Sequence, residues 1–167
     1  MDLTEDKDFE IGCEPDYNVY TEDLNETISF VDSTRYAGGH IHIGFVNVPK
    51  VDVLIKMIKA IDFVLAPFVM EFDKDTERKE IYGTPGRFRP KPYGFEYRSL
   101  SNFWLASDTL IGRVYDLVEY AIENYENFCD QIHEMQVKDG FQKTIGVDSN
   151  STERDIIAFA LEEVYEL

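Results

Sequence analysis

Two short runs carry the side chains best suited to chemistry, Gly38-Gly39-His40-Ile41-His42-Ile43-Gly44 and Gly94-Phe95-Glu96-Tyr97-Arg98. On a β-strand, residues two apart point to the same side, so His40 and His42 share one face, as do Glu96 and Arg98, with apolar groups on the other face. If the two runs lie in one sheet, two imidazoles, a carboxylate and a guanidinium form a compact patch. A divalent cation and a phosphate can be held together by such a set, although an imidazole and a carboxylate do not by themselves select Mg²⁺ or Mn²⁺ over Zn²⁺. A plain cross-strand ion pair between Glu96 and Arg98 is the structural alternative. Arg98 suits phosphate because its planar guanidinium offers two parallel donors, and Arg87 and Arg89 just upstream can add to it.

The elements that position these runs can be read from periodicity. Residues 9 to 20 alternate imperfectly and contain Pro15, which restricts them to an edge or bulged strand. Thr27 to Val31 reads as a short strand and Tyr36 to Val46 as a longer one. Leu54, Ile58, Ile61, Leu65 and Phe68 recur at helical spacing, predicting a helix from about Pro49 to Phe68 that Pro67 ends or kinks. Residues 72 to 92 are polar, rich in Gly and Pro, and aperiodic, so they read as a long functional loop. Tyr93 to Ser99 reads as a strand. Ser101 then reads as the N-cap of a helix whose buried side carries Trp104, Ile111, Val114, Val118, Ile122 and Tyr125. Asn150 and Glu153 resemble a capping box for a last helix. This order predicts an α+β domain, residues 1–167, with an antiparallel or mixed sheet covered by helices.

Composition narrows the function. The chain has 167 residues and a formal charge of −17, which argues against nucleic acid as a broad-surface partner. Charge is uneven along it. Residues 1 to 32 hold eleven acids and one base, whereas residues 78 to 98 hold Arg78, Lys79, Arg87, Arg89, Lys91 and Arg98 against Glu80 and Glu96. An anion belongs in that basic segment. Cys13 and Cys129 are the two cysteines, without zinc-finger or disulfide-framework spacing, and no apolar stretch reads as a signal peptide or membrane span, so a cytoplasmic setting is expected.

Ala37 to Gly44, followed by Tyr82-Gly83-Thr84-Pro85-Gly86-Arg87-Phe88-Arg89-Pro90-Lys91-Pro92 and on through Glu96-Tyr97-Arg98 to Trp104, resembles the phage-encoded carboxylate-amine ligases, or amidoligases, distant relatives of glutamine synthetase and glutamate-cysteine ligase. The resemblance covers roughly residues 10 to 126, with a C-terminal helical segment at 127–167 outside it. It implies a glutamine synthetase-like half-barrel lacking the N-terminal strands. It also implies an ATP-dependent ligase that makes an acyl phosphate from a small-molecule or peptide carboxylate and lets an amine displace the phosphate. Carried over residue by residue, it makes His40 and Glu96 ligands of Mg²⁺ or Mn²⁺ and brings His42 to the nucleotide phosphates. Arg98 then steadies the transferring phosphoryl group, and Arg87 or Arg89 meets the acyl phosphate or the substrate carboxylate.

The departures are as informative. Glutamine synthetase-like enzymes carry further acidic ligands on an earlier strand as Glu-x-Glu, and full members of the family begin well before the matching segment. Glu14 and Asp16 have the spacing to substitute, with Pro15 between them. The chain therefore reads as the C-terminal part: a fragment, one half of a split enzyme, or a degenerate relative. Glutamine synthetase relatives build sites between subunits, so a homo-oligomer fits. The alternative is a non-catalytic acidic phage effector that keeps the ligase scaffold and binds and inhibits a host protein.

Overall fold

The structure is a computed structural model that describes residues 16–21, 37–75, 78–79 and 83–129. Four strands form one antiparallel sheet: β1 (Tyr17–Asn18), β2 (Ile41–Gly44), β3 (Arg87–Lys91) and β4 (Gly94–Tyr97), in the spatial order β1-β3-β4-β2. Two long helices accompany it, α1 (Val51–Phe72) and α2 (Asp108–Glu123), with a 3₁₀ turn at Phe103–Ala106 between the sheet and α2. The expected strand at 27–31, the segment 9–15 and the capping box at Asn150 and Glu153 lie outside the described residues.

The sheet forms where side chains alternate. Ile43, Phe88, Phe95 and Tyr97 are buried and belong to one core with Ile58, Ile61 and Leu65 of α1 and Val114, Leu117 and Val118 of α2. Burying these apolar faces is the main driving force, about 25 cal/mol per Å² removed from water. β2 and β4 pair in the register Ile41↔Tyr97, His42↔Glu96 and Ile43↔Phe95. β3 and β4 pair as Phe88↔Tyr97 and Arg89↔Glu96. Because facing residues point the same way, that register alone assigns His42, Glu96 and Arg89 to the face opposite the core.

Three sequence expectations are corrected. The segment 72–92 is not one loop, because Arg87–Lys91 is strand β3, joined to β4 through Pro92 and Tyr93. Its alternation is legible as Arg87, Arg89 and Lys91 on one face, but Pro85, Gly86, Pro90 and Pro92 hide it. Pro90 is tolerated because β1 pairs with only Arg87 and Phe88 of β3, so at Pro90 the strand has no described neighbour on that side. Second, α1 ends at Phe72 rather than at Phe68, so Pro67 lies inside the helix and does not end it. Packing of Phe68 against Phe72 and Phe103, with ring centroids 4.7 and 5.7 Å apart, carries the last turn past the proline. Third, the cap of α2 is Ser107, whose Oγ accepts from the Leu110 amide at 3.3 Å, while Ser101 forms a bridge with Gly38. No helix among the described residues is long and apolar enough to cross a membrane.

Candidate functional site: a cation-rich sheet face

The polar face of the sheet gathers side chains from all four strands and their extensions. His40 Nδ1 lies 2.9 Å from Glu96 Oε1. Arg98, two residues beyond Glu96 and on the same side, donates from Nη1 to that same oxygen and stands 3.3 Å from His40 Nδ1. On the other flank of Glu96, Oε2 faces Lys91 Nζ at 3.2 Å and Arg89 Nη1 at 3.7 Å. Glu96 is thus a buried carboxylate enclosed by three permanent cations and an imidazole, 4% exposed. Burial pushes its pKa up, but the Arg98 charge, the Lys91 hydrogen bond and the His40 ring outweigh that and hold it below the ordinary glutamate value.

A second carboxylate anchors the arginines. Asp16 Oδ1 accepts from Arg87 Nη2 at 2.9 Å, and Asp16 Oδ2 accepts from Arg98 Nε at 2.9 Å and from Arg87 Nε at 3.3 Å. Asp16, Arg87 and Arg98 are all buried. Glu96 and Asp16 therefore grip Arg98 from two sides, fixing a side chain that would otherwise be long and mobile. The burial of Arg98 disfavours its charge, yet Glu96 and Asp16 more than compensate and raise its pKa.

Around this centre the backbone is braced. Buried Arg78 donates to the carbonyls of Ser99 at 3.0 Å and Leu100 at 2.7 Å, holding the chain just after β4. Trp104 Nε1 donates to Gly39 O at 3.2 Å, and a Cβ at Gly39 would sit 2.2 Å from that indole nitrogen. Glycine is required there so that the histidine-bearing strand can close on the 3₁₀ turn.

The sequence-derived residues separate into two groups. His40, Glu96, Arg98, Arg87 and Arg89 are brought together. His42 faces Glu96 in the ladder, but its ring turns to the hairpin, where Nδ1 meets the Tyr93 hydroxyl at 2.5 Å. Asp16 does enter the site, as a partner of two arginines; Glu14 lies outside the described residues. Sequence reasoning counted Lys91 and Arg78 in the basic segment without giving either a role, and it missed Tyr93. The i, i+2 series Arg87, Arg89, Lys91 could have placed Lys91 on the face.

As a seat for a metal ion the described face fits poorly. Among the described residues no three His, Cys, Asp or Glu side chains converge. The two donors that do meet, His40 Nδ1 and Glu96 Oε1, both contact Arg98 Nη1, and Glu96 faces further cations. As an anion seat it fits well, with Arg87, Arg89, Lys91 and Arg98 against Asp16 and Glu96.

The family described as "Phage phiEco32-like COOH.NH2 ligase-type 2" matches residues 29–164. That span extends nearly forty residues beyond Glu126, where the sequence resemblance was expected to end. No curated protein and no solved structure matches the chain significantly.

Proposed function

The chain belongs to the phage phiEco32-like COOH–NH₂ ligase type 2 family, and from that premise we propose that it is an ATP-dependent carboxylate-amine ligase working through an acyl phosphate. The single observation that carries the reading is the buried Glu96–Arg98–Asp16–Arg87 network, which fixes guanidinium groups on a sheet face together with Arg89 and Lys91. Phosphoryl transfer needs little covalent help from a protein; it needs positioned positive charge where the transferred group carries negative charge.

In the proposed reaction a carboxylate oxygen attacks the γ-phosphorus of ATP, the bond to the bridging oxygen breaks, and ADP leaves. The amine then attacks the acyl carbon, expels inorganic phosphate and gives up a proton, leaving an amide. Arg98 and Arg87, held by Asp16, steady the transferring phosphoryl group, and Arg89 receives the substrate carboxylate or the acyl phosphate. His42, at the hairpin beside Tyr93, contributes a hydrogen bond to the nucleotide phosphates. The nucleotide brings its own Mg²⁺ or Mn²⁺, since His40 and Glu96 are occupied by Arg98. A glutamine synthetase-like half-barrel lacking its N-terminal strands is part of the same proposal.

Calorimetric titration of the full chain with ATP and Mg²⁺ tests this. Binding is expected in the wild type and is expected to weaken at least tenfold in Arg89→Ala, a variant that leaves both Asp16 contacts in place. A wild type that binds no nucleotide overturns the reading. Trapping of the acyl phosphate by hydroxylamine, scored as hydroxamate across a panel of carboxylates, identifies the substrate.

A further inference from the structure

A hexacoordinate Mg²⁺ or Mn²⁺ with bonds near 2.1 Å places neighbouring donor atoms about 3 Å apart. His40 Nδ1 and Glu96 Oε1 are 2.9 Å apart, the spacing of two adjacent vertices. Arg98 Nη1 stands against both of them, in contact with Glu96 Oε1 and 3.3 Å from His40 Nδ1. Arg98 cannot drift out of this position without breaking its Nε bond to Asp16, a carboxylate already shared with Arg87. Both Arg98 and Glu96 are about 95% buried, so water competes weakly for either.

We propose that Arg98 is the resident cation of this site: its guanidinium holds the seat beside His40 and Glu96 that a divalent ion would take, so this face binds phosphoryl groups through its own cations without a metal held by His40 and Glu96. A divalent ion at the same donors would stand within van der Waals reach of the guanidinium, and at that separation like charges repel strongly in a partly buried setting. Lys91 and Arg89 on the second Glu96 oxygen add to the penalty. The side chain therefore does on this face what a metal does elsewhere, offering positive charge to an anion, but with donors of fixed direction. The inference rests on the same anion-binding face as the ligase reading, yet its test contains no nucleotide, so the two fail separately.

The experiment has two arms on the wild-type full chain. Free Mn²⁺ is followed by electron paramagnetic resonance during titration of wild type and His40→Ala, the comparison removing diffuse uptake by the acidic surface. Inorganic phosphate binding is measured by calorimetry in EDTA and in Mg²⁺. The expected results are equal Mn²⁺ uptake by the two proteins, and a phosphate affinity that changes less than twofold between the two buffers. A third arm adds Arg98→Gln, expected to take up Mn²⁺ at concentrations at least tenfold lower than wild type, with Arg98→Gln/His40→Ala losing that gain. Wild-type Mn²⁺ uptake that His40→Ala abolishes overturns the proposal, as does phosphate binding that disappears in EDTA or is absent in both buffers. Should Arg98→Gln fail to fold by circular dichroism, the wild-type arms decide alone.

Discussion

At the scale of single residues, the site separates buried groups that hold the network from partly exposed groups at its margin. Asp16 holds, since it is 3% exposed and both its oxygens are taken by buried arginines. Asp16→Ala should destabilise the protein by about 3–5 kcal/mol, the usual cost of leaving buried charge uncompensated, read as a fall in the urea midpoint. Lys91 has a partly exposed side chain and meets Glu96 at 3.2 Å at the margin of the network. Lys91→Ala should shift stability by less than about 1 kcal/mol and yet weaken phosphate binding severalfold in calorimetry. A comparable loss of stability in both variants would refute this division.

At the scale of elements, the hairpin and the helix beneath it carry the consequences. Gly94 opens β4 with φ at +150°, and a Cβ there would stand 2.2 Å from the Ile43 carbonyl oxygen across the ladder. Gly94→Ala should cost on the order of 1–3 kcal/mol and loosen the β2–β4 register that pairs His42 with Glu96. Slowed hydrogen exchange at β4 in the variant would contradict that expectation.

Beneath the sheet, Asp62 of α1 accepts from the Tyr97 hydroxyl at 2.6 Å and the Tyr20 hydroxyl at 2.9 Å. Complete burial pushes its pKa from the ordinary carboxylate range to about 7, with the tyrosine hydrogen bonds and Lys59 opposing the rise. The folded protein therefore binds this proton more tightly than the unfolded chain does. Its stabilising contribution is whole below pH ~4 and drains away as pH rises through 7. Asp62→Asn should flatten that slope, measured as urea midpoints between pH 5 and 8. Glu96 runs the opposite way, because its lowered pKa makes its contribution complete above the ordinary glutamate range and lost on further acidification. An unchanged slope in Asp62→Asn would show that the carboxyl is ionised throughout.

At the scale of the whole molecule, a face where four cations meet two carboxylates belongs to a chain of net charge −17. An approaching ATP feels both, over different ranges. At 0.01 M salt the screening length is about 30 Å, so the nucleotide is repelled by the whole acidic chain; at 0.15 M it shrinks to about 8 Å and the local cationic face dominates. The association rate of a fluorescent ATP analogue, followed by stopped flow, should therefore rise between these two ionic strengths. A basic phosphate-binding protein would show the reverse, and a falling rate here would mean that the acids lie too far from the face to matter.

Much of this was present in the chain before folding. The two-residue spacing of His40 with His42 and of Glu96 with Arg98 determines which side chains share a side of a strand, because that follows from backbone geometry alone. The apolar period through Leu54, Ile58, Ile61 and Leu65 likewise determines α1, and the excess of bases between residues 78 and 98 locates the cationic face. Strand β3 is hidden in the sequence because Pro90 within it and Pro85, Gly86 and Pro92 beside it favour turns, and only pairing with its neighbours overrules that preference. Local sequence also has no means of choosing partners for charges far apart in the chain. That Asp16 reaches across to Arg87 and Arg98, that Asp62 meets two tyrosines under the sheet, and that Arg98 contacts both His40 and Glu96 are decided by the tertiary structure. Those choices depend on burial, which exists only once the sheet and helices have closed over one another.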